Sequence, residues 1–232
     1  IARMDADDIS MPERLEKEYN FLEGHKEISI VSTNKIIINQ DGKELYKAKK
    51  LPTQDKYIKK LLKYMSVIVH PSVMFRKEDI IKLNKYRNFK MSQDYDLWMR
   101  AYCKGLKFGI INEYLIKYRV RDNNISNSNP IRQWIIHEYI LKLYKQRIKK
   151  GTDQFSEKDL EKYLQKEGAN DEKQKENFKR GMNYIEEFKS SLRDKKYMLA
   201  ICFFIKSICS QKKIIKVWYS YIRCSLIKRT GE

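Results

Sequence analysis

The stretch IARMDADDIS, residues 1–10, runs from an apolar lead-in directly into three carboxylates, Asp5, Asp7 and Asp8. Like charges this close together oppose each other's ionisation, and a divalent cation removes that penalty. We expect residues 1–4 to form the end of a buried strand and residues 5–10 a loop at its carboxyl end, where open α/β sheets bind ligands. Mg²⁺ is typically held by one or two carboxylates together with substrate phosphates. The segment therefore predicts a metal–diphosphate site, and a solvated acidic turn is the alternative.

Outward from this segment, hydrophobic periodicity predicts a mixed α/β unit up to residue 130 and helices beyond it. Ser10 and Ser92 are predicted as caps of the helices that follow them, and Ser156 with Asp159 three residues later is typical of a capping box at a helix start. We therefore expect an α/β domain over residues 1–130 and an α-helical extension over residues 131–232. The predicted strands are 28–38 (one strand or two), 44–47, 67–75, 106–111 and 114–120. The predicted helices are 13–23, 53–64, 77–83, 93–104, 131–150, 156–165, 173–191 and 196–228, the last broken near residue 211.

The charge of the chain favours anionic partners. The formal net charge is +19 over 232 residues, and residues 195–232 carry nine basic side chains against one acidic side chain. Nucleic acid, acidic lipid and phosphorylated substrates are the partners that such an excess attracts. The acidic segment at residues 5–8 argues against nucleic acid, so a nucleic-acid-binding protein is kept only as a competing hypothesis.

Cysteine usage and hydropathy point to the cytoplasm. The four cysteines have no C-x-x-C spacing and no nearby His, so we do not expect a zinc site, and a reducing compartment fits them. The longest uninterrupted apolar run, residues 197–205, is too short to cross a bilayer, which takes roughly 20 residues.

A second acidic position follows in SQDYDLW, residues 92–98. Asp94 is predicted in the first turn of a helix, where the positive end of the helix dipole favours an ionised carboxylate. An ionised Asp beside a metal–diphosphate is a suitable general base for a hydroxyl nucleophile. The alternative is that Asp94 only stabilises the start of its helix.

Four blocks of this sequence resemble the bacterial family 2 glycosyltransferases. They are IARMDADDISMPERL (1–15), HPSVMFR (70–76), QDYDLW (93–98) and YRV with NNIS (118–126), in the family's order. The resemblance covers residues 1–126 and hardly extends into the helical tail. It implies the C-terminal part of a GT-A domain, a Rossmann-like nucleotide-diphospho-sugar transferase fold, without the N-terminal nucleotide-binding strands. It also implies an inverting transfer from a nucleotide-diphospho-sugar to an acceptor hydroxyl, in cell-surface polysaccharide biosynthesis.

The resemblance also implies roles for individual residues. Asp7 would ligate Mn²⁺ or Mg²⁺, with Asp5 beside it near the ribose or a metal-bound water, and Asp94 would be the catalytic base. Arg121 stands where many relatives have a His that completes the metal shell. Arg cannot ligate a metal, but it can pair with a diphosphate directly. Gln93 replaces a Glu that is usual in the family.

Several expectations concern the molecule as a whole. Because the first strands of the fold would precede residue 1, we expect the complete protein to carry the activity and this chain alone to be inactive.

Residues 195–229 are expected either to dock on anionic lipid at the inner face of the plasma membrane, where lipid-linked acceptors reside, or to pack as a helical hairpin. The acceptor is a saccharide or a lipid-linked molecule. His70 either faces the acceptor or is structural. An inactive scaffold that recruits partners is a further alternative.

Overall fold

The computed structural model describes residues 1–121 and 129–230. The strands are β1 (Ile9–Ser10), β2 (Ile28–Ile38), β3 (Glu44–Lys47), β4 (Met74–Phe75) and β5 (Lys107–Arg119). The helices of the first part are α1 (Arg14–Gly24), α2 (Asp55–Leu62), α3 (Lys77–Lys82) and α4 (Gln93–Cys103), with a 3₁₀ turn at His70–Ser72. The later helices are α5 (Pro130–Lys150), α6 (Glu157–Lys166), α7 (Glu172–Arg193), α8 (Tyr197–Ser210) and α9 (Lys213–Thr230). The expected mixed α/β part followed by a helical part is confirmed.

Strand β2 is the centre of a single mixed sheet. It pairs in parallel with β5, and the antiparallel strands β3 and β4 share its other edge. Strand β1 pairs with the outer edge of β5. Nine of the eleven residues of β2 are buried, as expected for a strand with neighbours on both edges and helices on the sheet faces.

The sequence predicted two strands where the structure has the single strand β5. In the register with β2, Thr33 pairs with Ile111 and Asn34 with Tyr114, so residues 112 and 113 form a bulge. The Asn34 side-chain Nδ2 donates a hydrogen bond to Asn112 Oδ1 at 2.7 Å. A bulge keeps the strand continuous while it re-aims local side chains.

The predictions for residues 1–12 are partly wrong. Ala2 makes only an isolated bridge to Met74, and Ile1 is 60% exposed, so the lead-in is not a buried strand. Ser10 lies in β1 and does not cap α1, whose N-cap position is Glu13. The Ser10 hydroxyl instead accepts a hydrogen bond from Arg14 Nε at 2.9 Å. Ser92 does occupy the N-cap position of α4, but its side chain makes no capping hydrogen bond.

The helical part packs on the α/β part chiefly through α5, which lies against α4, and α9, which lies against α2. Helices α7 and α8 pack along each other, and one hydrophobic core extends from the sheet into α9. The predicted capping box is confirmed, since the Ser156 hydroxyl accepts from the Asp159 amide at 3.0 Å. Among the helices within residues 1–121 and 129–230, none combines the length and apolar character that a bilayer span needs.

Candidate functional site

The acidic loop is anchored by the end of β5. The Arg119 amide donates to Asp8 Oδ1 at 2.8 Å, and Arg119 Nε donates to the Asp7 carbonyl at 2.7 Å. Asp8 is buried, and burial raises the pKa of its carboxyl. Asp8 therefore fixes the loop, while Asp5 and Asp7 keep partly exposed carboxylates.

Each exposed carboxylate of the loop has an arginine partner. Arg3 Nη1 contacts Asp5 Oδ1 at 2.7 Å, and Arg121 Nε lies 3.5 Å from Asp7 Oδ2. The structure thus brings together Asp7 and Arg121, which the resemblance assigned to one diphosphate site. A ligand with several negative oxygens would meet carboxylates and guanidinium groups side by side here.

The donor atoms of this loop suit a metal that is shared with a substrate. Within the described residues, no group of three or more His, Cys, Asp or Glu side chains is arranged to hold a metal ion. Asp5 and Asp7 supply two accessible carboxylates, which is the number that Mg²⁺ typically takes when phosphate oxygens complete its shell. The residues therefore fit a metal–diphosphate complex, with the diphosphate supplying the remaining ligands.

Asp94 lies in the first turn of α4, as predicted, and it is half-buried. Burial raises the pKa of its carboxyl, and hydrogen bonds from the backbone amides of Tyr95 and of Asp94 itself oppose this shift. The charge of Arg3 also lowers the pKa of Asp94, whereas the charge of Asp5 raises it. The acidic loop and the N-terminus of α4 are therefore within electrostatic reach of each other, through Asp5 and Arg3.

His70 and Tyr86 complete this cluster. His70 Nε2 and the Tyr86 hydroxyl are 3.1 Å apart, and the His70 ring meets the edge of Trp98. Burial, with a smaller contribution from Arg3, lowers the pKa of His70 to about 3. His70 is therefore neutral near pH 7 and serves as a hydrogen-bonding partner. Burial raises the pKa of Tyr86, the charge of Arg3 opposes this shift and the charge of Asp94 adds to it, so Tyr86 also lies close to the site.

Buried Arg14 links the two sides of the site. Its Nη1 donates to the carbonyl of Arg3 at 3.1 Å and to the carbonyl of Pro71 at 2.9 Å. These two bonds hold the start of the chain against the turn that carries His70. No sequence pattern indicated this role, because Arg14 belongs to an amphipathic helix and these two partners are backbone oxygens.

Beyond Asp94 lies a cavity of about 360 Å³ between the two parts of the chain. Helix α5 contributes Trp134 and His137, which the sequence analysis did not assign to the site. Their spacing of three residues on one helix face was the only available signal. The other lining residues are Tyr64, Met65, Ser66, Ser92, Tyr95, Pro130, Gln133, Phe178, Met182, Val217, Ser220 and Tyr221.

An acidic, arginine-flanked loop lies within electrostatic reach of the carboxylate at the start of α4. This arrangement fits an enzyme that handles phosphorylated substrates. Comparison with known proteins confirms the resemblance to bacterial glycosyltransferases. The uncharacterized glycosyltransferase MJ1057 of Methanocaldococcus jannaschii is 36% identical over 146 residues, which is 62% of this chain and 50% of that protein.

Two bacterial relatives carry more specific names. The O-antigen biosynthesis glycosyltransferase WbnJ of Escherichia coli is 37% identical over 55% of this chain and 50% of its own length. The amylovoran biosynthesis glycosyltransferase AmsE of Erwinia amylovora is 30% identical over 64% of this chain and 54% of its own length. The chain thus spans about half the length of these relatives. No family model matches it.

Proposed function

We propose that the complete protein transfers a sugar from a nucleotide-diphospho-sugar to an acceptor hydroxyl, with inversion at the anomeric carbon. The observation that carries this proposal is the placement of Asp94 within electrostatic reach of Arg3 and Asp5. The names of WbnJ and AmsE support a role in the biosynthesis of a surface polysaccharide. The further proposal of a partial GT-A domain over residues 1–130, with an extension over 131–232, rests on the four sequence blocks.

The donor side of the proposed site is the acidic loop. Asp7 and Asp5 would hold a Mn²⁺ or Mg²⁺ ion, which when bound offsets the negative charge of the departing diphosphate. Arg121 lies 3.5 Å from Asp7 and more than half of its side chain is exposed, so its guanidinium is available to phosphate oxygens. Arg3 is the corresponding cation beside Asp5. Paired guanidinium groups bind phosphate in a defined orientation.

The acceptor side of the proposed site is the start of α4. Asp94 would accept the proton of the acceptor hydroxyl while that oxygen attacks the anomeric carbon on the face opposite the diphosphate. A base works best when its pKa approaches the working pH, and burial moves the pKa of Asp94 in that direction. Inversion follows if base and diphosphate lie on opposite sides of the sugar.

The same proposal includes a membrane contact at the inner face of the plasma membrane. Helix α8 buries only Ala200 and Ser207, although it consists mostly of apolar residues. Exposed apolar side chains also line α9, and the basic residues of 195–229 surround them. Such a surface binds anionic lipid through apolar burial and charge together. It would bring the enzyme to lipid-linked acceptors.

The base is tested by Asp94→Asn in the complete protein, with Asp79→Asn as the control. Transfer should fall by about 10²–10⁴-fold, the usual contribution of a general base, while the donor Kd changes little. Sugar transfer and donor binding are measured in parallel with Mn²⁺ present. Near-normal turnover of the Asp94→Asn variant would refute the role.

The metal site is tested by Asp7→Ala in the same protein. Donor binding should lose its dependence on Mn²⁺, because the carboxylate that holds the ion is gone. Calorimetric titration of the nucleotide-sugar with and without Mn²⁺ measures this. An unchanged Mn²⁺ dependence would count against Asp7.

The membrane contact is tested by the double change Ile201→Asp and Ile205→Asp on α8. Flotation with phosphatidylglycerol vesicles should be lost, whereas Ile148→Asp, an equally exposed change on α5, should leave it intact. Equal flotation of all three proteins, or equal binding to neutral phosphatidylcholine vesicles, would speak against an anionic-lipid surface.

A further inference from the structure

The cavity beside Asp94 is walled mainly by the helical extension. Besides Ser92, Asp94 and Tyr95 of the α4 segment, it is lined by Trp134 and His137 of α5 and by residues of α7 and α9. Most of the lining is aromatic or aliphatic, with a few hydroxyl and amide groups between. A pocket of this composition suits a ligand that has both apolar faces and hydrogen-bonding groups.

Three stacked rings form one wall of this cavity. The Tyr95 and His137 rings are 4.7 Å apart at 11°, and the His137 and Trp134 rings are 5.2 Å apart at 22°. Burial lowers the pKa of His137 to about 4, so the ring is neutral near pH 7. A neutral imidazole has one N–H donor and one acceptor nitrogen.

Two polar atoms of this wall lack partners. Among the described residues, neither Trp134 Nε1 nor His137 Nε2 has a hydrogen-bond partner, although both atoms are buried. Buried polar atoms are normally paired in native proteins. Because both atoms are closed off from solvent, a ligand hydroxyl in the cavity would pair with them after a small shift of the two rings.

The charge of the lining also restricts the ligand. No Lys or Arg is found among the described residues that line the cavity, and Asp94 is its one acidic residue. A phosphate group would therefore meet no compensating cation there. A wholly apolar chain would leave Trp134 Nε1 and His137 Nε2 unpaired.

We propose that this cavity binds the acceptor's saccharide ring, with Trp134 and His137 of the helical extension as its hydrogen-bonding partners. The inference rests on the proposed function, since Asp94 must meet the attacking hydroxyl at the cavity wall. A sugar ring presents C–H groups to aromatic faces and hydroxyls at its edge, which matches the lining. The helical extension thereby contributes to the choice of acceptor.

A pair of matched variants on α9 tests the site. Ser220 lines the cavity, whereas Ser225 lies exposed on the same helix. Ser220→Trp should fill the cavity, and Ser225→Trp adds the same side chain elsewhere. Trp134→Phe is the milder variant, which keeps an aromatic ring but removes the N–H donor. Circular dichroism and thermal unfolding show whether each variant folds.

The first measurement is saturation-transfer NMR on the chain with methyl glycosides of glucose, galactose and N-acetylglucosamine. At least one glycoside should bind to the wild type and to Ser225→Trp but not to Ser220→Trp. Trp134→Phe should weaken binding by about 3- to 10-fold, as expected for one hydrogen bond. Absence of glycoside binding, binding that survives Ser220→Trp, or selective binding of farnesyl phosphate would overturn the saccharide assignment.

The second measurement separates this inference from the proposed function. In the complete protein, Ser220→Trp should raise the acceptor KM more than about tenfold through steric exclusion, and Mn²⁺-dependent hydrolysis of the donor should continue. An unchanged acceptor KM would overturn the cavity assignment while the transferase proposal stands. If the wild-type protein does not turn over the donor at all, the transferase proposal is overturned. The glycoside titration would still show whether the cavity binds a saccharide.

Discussion

Strand β2 and helix α8 are both rich in apolar side chains, but most of those in β2 are buried and most of those in α8 are exposed. Nine of the eleven residues of β2 are buried, whereas α8 buries two of its fourteen. Residues such as Ile30 in β2 are fully enclosed by the sheet and its helices, while Ile201 in α8 is 52% exposed. The apolar residues of β2 therefore stabilise the fold, whereas those of α8 contribute little to it and are available for a contact outside the chain.

Charged side chains show the same contrast in burial between the α/β part and residues 195–229. The α/β part and its junction with α5 bury ionised groups in defined networks, such as Asp96 with Arg100 at 2.8 Å. In the described part of residues 195–229, most basic side chains remain at the surface, where the contribution of a single ion pair is small. Substitutions in the first region should therefore affect stability strongly, and those in the second should affect binding.

The largest effect is expected for Asp96→Ala. Asp96 is fully buried, and Arg87 and Arg147 each approach its Oδ1 to 3.8 Å in addition to the Arg100 contact. Removing the carboxylate leaves buried guanidinium groups with one anion fewer, which costs about 3–5 kcal/mol. Urea unfolding measures the loss. The control Glu186→Ala, at an exposed ion pair, should change stability by less than about 1 kcal/mol; equal losses would contradict the contrast.

The next effect is a pH dependence at Glu18, a fully buried side chain whose main charged neighbour is Arg14 at 3.9 Å. Burial raises the pKa of Glu18 from about 4.5 to about 7. Between these values the folded state keeps a proton that the unfolded state has released, so stability falls as pH rises through this window.

Glu18→Gln removes this dependence. At pH 8 the variant should be more stable than the wild type by about 3 kcal/mol, and at pH 4 the two should be nearly equal. Thermal unfolding at both pH values measures the difference. Glu16→Gln, an exposed change on the same helix, serves as the control. If the wild type instead gained stability relative to Glu18→Gln between pH 5 and pH 8, the pKa of Glu18 would be lowered by folding, which would contradict this prediction.

A smaller effect is expected inside the helical extension, where α7 meets α9. A Cβ added at Gly181 would lie 2.7 Å from Ile214 Cγ1, closer than packed carbons tolerate. Gly181→Ala should therefore cost about 1–2 kcal/mol despite the better helix propensity of Ala. Gly24→Ala, which meets no atom within 4 Å, should be neutral or slightly stabilising. Gly181→Ala with wild-type stability would mean that α7 and α9 pack loosely.

The smallest effect is expected for α8 itself. Ile201→Ala should change the free energy of unfolding by less than about 0.5 kcal/mol, because the side chain is mostly exposed. The identical change Ile30→Ala in β2 should cost about 2–5 kcal/mol. Urea unfolding of both variants compares the two regions directly. A large loss for Ile201→Ala would show that α8 is part of the stabilising core.

Local patterns in the sequence were sufficient for most of the fold. The β-branched run of β2, the 3.6-residue periodicity of α5 and the Ser156 capping box each predicted an element that the structure contains. The errors lie where tertiary contacts override local preference. The bulge at Asn112 joins two predicted strands, because pairing with β2 continues on both sides of it. Ser10 is drawn into β1 by pairing with β5.

The sequence pointed to the acidic residues of the candidate site and to His70, and the resemblance added Arg121. Asp94 and the loop stand out because carboxylates at a loop and at a helix start have recognisable chemistry. Trp134 and His137 could not be placed, since their approach to Asp94 depends on how α5 docks on α4. The block at residues 123–126 lies outside the described residues. The substitutions Asp94→Asn and Asp7→Ala described above test the proposed roles of these two residues.

The parallel pairing of β2 with β5 affects how the protein folds during its synthesis on the ribosome. Strand β2 emerges with one edge waiting for a partner that is synthesised several seconds later, at roughly 5–20 residues per second. An unpaired strand edge can pair with another chain, so the growing polypeptide is prone to aggregate during this interval. The loop that carries Asp7 is anchored by Arg119, near the last residue of β5. The acidic loop can therefore reach its anchored position only after Arg119 has been synthesised.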